Sequence, residues 1–157
     1  MSRRDVVNWY NKGIGLHRSG DYKKAIRCFD RALELNPEYA GVWNGKGAAP
    51  AGLRRHDEAA RCYDRALELN PEDAGAWNNK GIALSNRGRY DEAVQCYDRT
   101  LEFNPEYAYA WSGKGFALAV HSPTSAATMR RSGAMIVRLR ATQDFPRRRV
   151  LKCIPLL

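Results

Sequence analysis

A phrase that recurs at a fixed interval constrains this chain more than any other feature. The pattern Trp-x-x-Lys-Gly begins at Trp9, Trp43, Trp77 and Trp111, always with the same step. A fixed period between about 20 and 50 residues is typical of solenoids, in which each unit buries its apolar face only against its neighbours. Solenoids present extended surfaces rather than enclosed active sites. The period therefore favours a binding protein over an enzyme.

A second phrase repeats with the same spacing and points to a family. Arg-Cys-Phe-Asp-Arg-Ala-Leu-Glu-Leu-Asn-Pro-Glu occupies 27–38 and returns, with few changes, at 61–72 and 95–106. The sequence resembles the tetratricopeptide repeat family, whose unit has the same period. In the third unit Thr100 stands where an Ala is expected. The residues that carry the resemblance are Trp9, Gly13, Ala25, Phe29, Ala32, Pro37, Trp43, Gly47, Ala59, Tyr63, Ala66, Pro71, Trp77, Gly81, Ala93, Tyr97 and Pro105.

The resemblance implies an all-α fold, a right-handed superhelical solenoid of antiparallel helix pairs. We expect the array to cover residues 5–120 and an irregular basic tail to cover 121–157. Within the array, the expected repeats are about 6–39, 40–73 and 74–107, with the first helix of a fourth at 108–120.

The residues of one unit predict its two helices without the family. Bulky apolar side chains recur every three or four residues over 7–16, which indicates an amphipathic helix. Asp21 is expected to be the N-cap of the second helix. Asn36 is expected to close that helix in a left-handed conformation, and Pro37 to open the next one. Gly13 leaves room for a close approach of the two helices.

The basic charge of the chain belongs to its tail. The formal net charge is +9, but residues 1–120 hold 18 basic and 16 acidic residues, whereas 121–157 hold 8 and 1. No apolar run approaches the ~18 residues of a membrane span. The N-terminal sequence also lacks the apolar region of a secretory signal. We therefore expect a cytoplasmic protein.

The residue types that perform chemistry follow the repeat rather than a site. Cys28, Cys62 and Cys96 occupy the same place in three successive units, so repeat symmetry explains them without a metal or a disulfide. The histidines are scattered over three units. We expect no catalytic residues, no cofactor and no metal. A ladder of lysines either binds anions or lies along the tryptophan rings; its members are Lys12, Lys46, Lys80 and Lys114.

The resemblance also implies a binding groove, because the first helix of each pair in this family lines a concave surface that takes peptides. Asn78 and Asn79 are expected on the solvent side, where an amide both donates and accepts hydrogen bonds. The alternative is a polar face without a ligand. The residues expected in the groove are Val7, Tyr10, Asn11, Ile14, His17, Arg18, Asn44, Ala48, Asn78, Asn79, Ile82, Ser85, Asn86, Tyr109, Ser112 and Phe116.

One kind of ligand is disfavoured. Chaperone-binding members of this family hold a C-terminal carboxylate with Lys, Asn and Arg side chains. The matching positions here are Tyr10, Ile14, Gly75 and Asn79, which provide no cationic donors for a carboxylate.

Two residues of the second unit depart from the pattern. Pro50 replaces the leucine of the other units and removes a helical hydrogen bond, at a cost of about 3 kcal/mol. Arg54 replaces the glycine found as Gly20 and Gly88. A damaged, kinked repeat is the simpler interpretation, and a functional hinge is the alternative.

The tail has two interpretations. One is a basic arm for nucleic acid or anionic lipid. The other is a fourth repeat translated out of frame, because 134–140 can be encoded as GCT ATG ATC GTG CGC TTG AGG. From the third base this sequence encodes Tyr-Asp-Arg-Ala-Leu-Glu, which is also found at 63–68. If the tail supplies no partner helix, 108–120 exposes an apolar face that favours self-association.

These observations predict a non-catalytic scaffold that binds a protein or peptide through its concave face. The alternative is an adaptor that binds nucleic acid or membrane through its basic tail.

Overall fold

The structure is a computed structural model that describes residues 3–121, and the interpretations of the tail concern residues outside that part. The described part contains helices and no strands, which confirms the all-α prediction. Its helices are α1 (Arg3–Arg18), α2 (Tyr22–Leu35), α3 (Ala40–Gly52), α4 (His56–Leu69), α5 (Ala74–Asn86), α6 (Tyr90–Phe103) and α7 (Ala108–His121).

The helices form a stack of antiparallel pairs. Each helix packs against the next one along the chain. The odd-numbered helices α1, α3, α5 and α7 also contact one another in sequence, whereas the even-numbered helices within residues 3–121 do not. The odd-numbered helices are therefore closer together and line the concave side of the array.

The even-numbered helices supply most of the core. In α2 the buried residues are Ala25, Cys28, Phe29, Ala32 and Leu33, which form one helical stripe. The same positions are buried in α4. In α6 a buried Thr100 replaces the alanine, and its hydroxyl donates to the carbonyl of Cys96 at 3.0 Å. Because the hydroxyl is satisfied within its own helix, the substitution is tolerated.

Close approach between the two helices of a pair depends on glycine. A Cβ at Gly47 would lie 2.5 Å from the ring of Tyr63, closer than real Cβ atoms come. The equivalent distances at Gly13 and Gly81 are 2.7 and 2.8 Å. The glycine of each Trp-x-x-Lys-Gly phrase in these three units is therefore the socket into which the aromatic ring of the next helix fits.

Asp21 and Asn36 occupy the N-cap and C-cap positions of α2 as expected, but the expected left-handed closure at Asn36 and the helix start at Pro37 were wrong. Asp21 precedes α2 but makes no side-chain capping bond, and its carboxylate pairs with Lys24 at 3.0 Å instead. Asn36 has φ −148°, which is extended rather than left-handed. Its Oδ1 accepts the N–H of Glu38 at 3.1 Å, and this turn contains Pro37. Because the turn carries the chain past Pro37, the next helix opens only at Ala40.

The second unit keeps its shape despite its two departures. Helix α3 continues through the buried Pro50 and ends at Gly52, the position equivalent to Arg18 and Asn86. Arg54 adopts φ +60°, close to the +82° of the glycine it replaces in the first unit. A non-glycine residue in this conformation costs roughly 1–2 kcal/mol. The departures therefore strain the repeat without shortening its helix.

Candidate functional site: the concave face

The concave face displays the expected groove residues to different degrees. Residues that are exposed are Val7, Asn11, Arg18, Ile82, Asn86, Tyr109, Ser112 and Phe116. Residues that are half-buried are Tyr10, Ile14, His17, Asn44, Ala48, Asn79 and Ser85. Among the expected groove residues, Asn78 alone is buried.

The expectation that Asn78 lies on the solvent side was wrong. Its side chain is 4% exposed, and its Oδ1 has no hydrogen-bond partner among the described residues. Neighbouring residues of an α-helix point about 100° apart, so Asn78 and Asn79 cannot both face the solvent in the same direction. Asn79 is the residue of this pair that remains accessible from the groove.

A short polar network lies at the centre of the face. The Nδ2 of Asn79 donates to the Oδ1 of Asn44 at 3.0 Å. The Nδ2 of Asn44 donates to Asp73 at 3.4 Å, and the other carboxylate oxygen of Asp73 accepts the N–H of Ala76 at 3.0 Å. Asp73 thus caps α5 and anchors the two amides. The amides are partly used within the protein, which leaves less hydrogen-bonding capacity for a ligand than the sequence suggests.

Aromatic side chains close the face next to α1. The ring of Tyr10 lies 6.1 Å from that of Phe29 and 5.9 Å from that of Tyr39. Burial, with the nearby Tyr39 and Asp73, raises the pKa of Tyr10. A Cβ at Gly45 would lie 3.3 Å from the ring of Tyr10. In the next unit the residue equivalent to Gly45 is Asn79, so Tyr10 fills the space that an Asn side chain occupies there. This part of the face is packed rather than open.

The face is apolar and open next to α7. Tyr109 is 78% exposed, Phe116 58% and Ile82 43%. The ring of Phe116 meets Tyr90 edge-on, with centroids 6.4 Å apart. Ser85, which was expected to contact a ligand, is half-buried. Three large apolar side chains of the concave face are therefore exposed on α5 and α7.

The lysine ladder is paired within the protein. Each lysine of the last three units lies over the tryptophan of its own helix and bonds to an aspartate of the preceding even-numbered helix. The ion pairs are Lys46–Asp30 at 2.7 Å, Lys80–Asp64 at 2.6 Å and Lys114–Asp98 at 2.5 Å. The distances to the ring centroids of Trp43, Trp77 and Trp111 are 5.1, 5.3 and 5.8 Å. This pairing favours the tryptophan interpretation over an anion site.

Two further ion pairs were not expected from the sequence. Arg87 bonds to Asp57 at 2.9 Å, and His121 Nε2 lies 3.1 Å from Asp91. The two pairs are equivalent, because His121 and Asp91 occupy the positions of Arg87 and Asp57 in the next unit. Alignment of the repeats could have revealed them. All four side chains are more than half exposed, which indicates surface contacts between repeats.

The thiols are not placed for chemistry. Cys28, Cys62 and Cys96 are buried and unpaired. Burial raises the pKa of Cys96 to about 11 and raises that of Cys62, so both thiols stay protonated at neutral pH and are poor nucleophiles. Within residues 3–121, no three side chains of His, Cys, Asp or Glu come together as metal ligands would.

Comparison with known proteins identifies the repeat. Models of the tetratricopeptide repeat match residues 8–39, 51–108 and 81–127. The chain belongs to the tetratricopeptide repeat family. A curated relative, the uncharacterized protein MJ0572 of Methanocaldococcus jannaschii, is 41% identical over 49 residues. The match covers 31% of this chain and 57% of that protein.

Solved structures share the fold of this tetratricopeptide repeat array. The Arabidopsis OM64 TPR domain has a TM-score of 0.71 at 20% identity, covering 73% of this chain and 94% of that one. The first TPR of Spaghetti (RPAP3), bound to the HSP90 peptide SRMEEVD, has 0.74 at 22%, covering 78% and 98%. MamA 41-end from Desulfovibrio magneticus RS-1 has 0.69 at 22%, covering 91% and 80%. At these identities the likeness concerns the fold.

No helix within residues 3–121 of the array is both long enough and apolar enough to cross a membrane. The alternative function, an adaptor acting through the basic tail, concerns residues outside the described part.

Proposed function

We propose that this protein is a non-catalytic cytoplasmic scaffold whose concave face binds a segment of a partner protein. The observation that carries the proposal is the exposure of Ile82, Tyr109 and Phe116, three large side chains on adjacent odd-numbered helices. Large apolar side chains grouped on one exposed surface are typical of an interaction site. Two structural relatives, the first TPR of Spaghetti and the second TPR domain of human RPAP3, are bound to peptides, which supports a peptide as the ligand.

The chemistry of the face favours an apolar segment. Ile82, Tyr109 and Phe116 would receive apolar side chains of the partner. Asn79, half-buried beside them, would bond to the partner's backbone. The positions that bind a terminal carboxylate in chaperone-binding members hold no Lys or Arg here. The peptide SRMEEVD, bound by the Spaghetti domain, should therefore bind weakly or not at all to this chain.

The test uses the full chain and a display library of short random peptides. The tightest peptide is synthesised, and its affinity is measured for Ile82→Ser and Phe116→Ser. Each variant is expected to weaken binding about tenfold or more, because each removes buried apolar area worth roughly 1.5–3 kcal/mol. Phe103→Ser is the matched control, since Phe103 is 38% exposed on α6, outside the concave face. Equal losses in all three variants would contradict the proposal.

Salt separates groove binding from tail binding. Apolar contacts with the groove are expected to keep their affinity as sodium chloride rises, whereas binding through the basic tail should weaken steeply. Asn79→Ala should remove about 1–3 kcal/mol of binding free energy if its amide contacts the peptide backbone. A selected peptide whose affinity falls with salt and ignores the groove variants would assign binding to the tail.

A further inference from the structure

Helix α7 exposes the face that the other odd-numbered helices bury. In each of the three complete helix pairs, the second helix covers a stripe of four residues on the first helix. These residues are the first, fourth, eighth and eleventh of the repeat unit. On α5 these residues are half-buried or buried: Ala74, Trp77, Gly81 and Leu84. On α7 they are all exposed, with Trp111 56% and Leu118 50% exposed: Ala108, Trp111, Gly115 and Leu118. We call these four residues of α7 the open stripe.

The open stripe contains an empty socket. At Gly13, Gly47 and Gly81, an added Cβ would come within 2.8 Å of an aromatic ring of the paired helix. At Gly115, it would meet no described atom within 4 Å. Gly115 thus retains the shape that receives a ring, while residues 3–121 supply no ring to it.

The covered stripes show what fits the socket. Each covering helix carries an aromatic residue with Ala four positions before it and Ala or Thr three positions after it. These triplets are buried to 2% exposure or less: Ala25, Phe29 and Ala32; Ala59, Tyr63 and Ala66; Ala93, Tyr97 and Thr100. The small flanking side chains let the helix approach closely enough for the ring to reach the glycine. The occupant of the open stripe should carry this triplet.

Neither a second copy nor the tail as written carries a suitable helix. In a second copy α2, α4 and α6 already use the triplet face against their own partners. Residues 122–157 contain one aromatic residue, Phe145, which is followed by Pro146 and has Arg148 where Ala or Thr is required. Proline inside a helix costs about 3 kcal/mol or more.

The third-base frame of the tail can encode the triplet. With allowed codons, the third-base frame of 127–143 encodes Tyr-Asp-Glu-Ala-Val-Arg-Cys-Tyr-Asp-Arg-Ala-Leu-Glu-x-Asn-Pro. This differs from 90–105 only where Gln95 and Thr100 become Arg and Ala, and at the undefined position. Its central Tyr has Ala four positions before it and Ala three positions after it.

We propose that the open stripe of α7 is the docking face for the second helix of a fourth repeat, and that the gene encodes this helix in the third-base frame of codons 127–143. The proposal is independent of the concave face, because the open stripe is the face that α1, α3 and α5 turn toward their paired helices.

A synthetic peptide tests the docking face. It has the sequence of 90–105 with Gln95→Arg and Thr100→Ala, and it is added to the full chain. Titration calorimetry is expected to show saturable binding of one peptide per chain, with a blue shift of tryptophan fluorescence as Trp111 is covered. A control peptide with the central Tyr replaced by Ala should bind about tenfold more weakly or worse. Absence of binding, or equal binding of the two peptides, would overturn the proposal.

Two glycine variants locate the peptide. Gly115→Ala should leave the chain folded, because the new methyl group meets no described atom, and should weaken peptide binding about tenfold by filling the socket. Gly15→Ala is the matched control, since Gly15 is also exposed with no described atom within 4 Å of its Cβ, and it should leave binding unchanged. Equal affinities for both variants would place the peptide elsewhere.

The source of the helix is decided by the gene. The nucleotide sequence of codons 127–143 is expected to encode the helix in the third-base frame, and a stop codon or an unrelated sequence there would overturn that part of the proposal. Sedimentation of the full chain provides the last check. A dimer that the peptide does not dissociate would assign the open stripe to a second copy and contradict the docking of a fourth-repeat helix.

Discussion

The first and last helices of the described array, α1 and α7, differ in the residues that they expose. The odd-numbered helices from α3 onward bury two positions against the preceding pair, as Ala76 and Ala83 do in α5. In α1, which has no preceding helix in the described part, the same positions are the exposed Asn8 and Gly15. In α7, these positions, Ala110 and Ala117, are buried, but the residues that follow them, Trp111 and Leu118, are exposed.

The difference shows what a terminal helix of a solenoid needs. The outer face of α1 is exposed, and its side chains there are polar or absent. The open stripe of α7 has kept the apolar residues of an internal repeat. Arrays of this kind require a polar outer face at their ends to remain soluble. Within the described residues, the outer face of α1 has a polar side chain or none, whereas the open stripe of α7 is apolar.

The largest expected difference in stability is between the alanine variants of two equivalent tryptophans, Trp77 and Trp111. Trp77→Ala should lower the free energy of unfolding by about 3 kcal/mol, because Trp77 packs into the core of the third and fourth units. Trp111→Ala should cost no more than about 1 kcal/mol, since that side chain is 56% exposed. Urea unfolding followed by circular dichroism measures both. Equal losses would mean that α7 is covered in solution, and the contrast between the ends would fail.

A second contrast concerns replacement of glycine by alanine, which should lower the stability of the array at one site and raise it at two others. Gly47→Ala should destabilise the array by about 1–3 kcal/mol, because the new Cβ would lie 2.5 Å from the ring of Tyr63. Gly15→Ala and Gly115→Ala should instead stabilise it by up to about 1 kcal/mol, since alanine favours a helix and both sites are open. Urea midpoints give the comparison. A destabilising Gly115→Ala would show that the socket is already filled.

The smallest expected contrast concerns the lysines. Asp64→Asn removes the carboxylate partner of Lys80 and should cost about 0.5 kcal/mol, because Asp64 is half-exposed and the pair is screened by salt. Lys12→Gln should cost less, since Lys12 lies over Trp9 and the described residues give it no carboxylate partner. The difference should shrink in high salt. If Lys12→Gln is the more damaging change, the first unit has a partner that residues 3–121 do not supply.

Much of the fold could be predicted from local patterns, because a helix is a local structure. The spacing of apolar residues over 7–16 predicted α1, and Gly13 predicted a close approach of the two helices. The cap positions at Asp21 and Asn36 were predicted, but their geometry was not. Asp21 bonds to the side chain of Lys24 rather than to a backbone N–H of α2, and Asn36 forms a turn with Glu38.

The sequence could predict which face of the array forms the candidate site, but not which side chains on that face are accessible. The family resemblance placed Asn79, Ile82 and Phe116 on one side of the array, but it did not distinguish Asn79 from the buried Asn78. That distinction depends on how neighbouring helices rotate and pack against each other. Two identical adjacent residues carry no local signal of it. The bond from Asn79 to Asn44 likewise joins residues of different repeats.

The sequence by itself determined the repeat, its helix pairs and the family, because a fixed period and helical spacing are properties of the chain in order. The tertiary structure decided which lysines are neutralised, which amides bond to each other and which stripe stays open. These outcomes depend on distances between side chains of different repeats. The phrase Trp-x-x-Lys-Gly is the same at Trp77 and Trp111, but within residues 3–121 only the first has a second helix of its own unit to cover it.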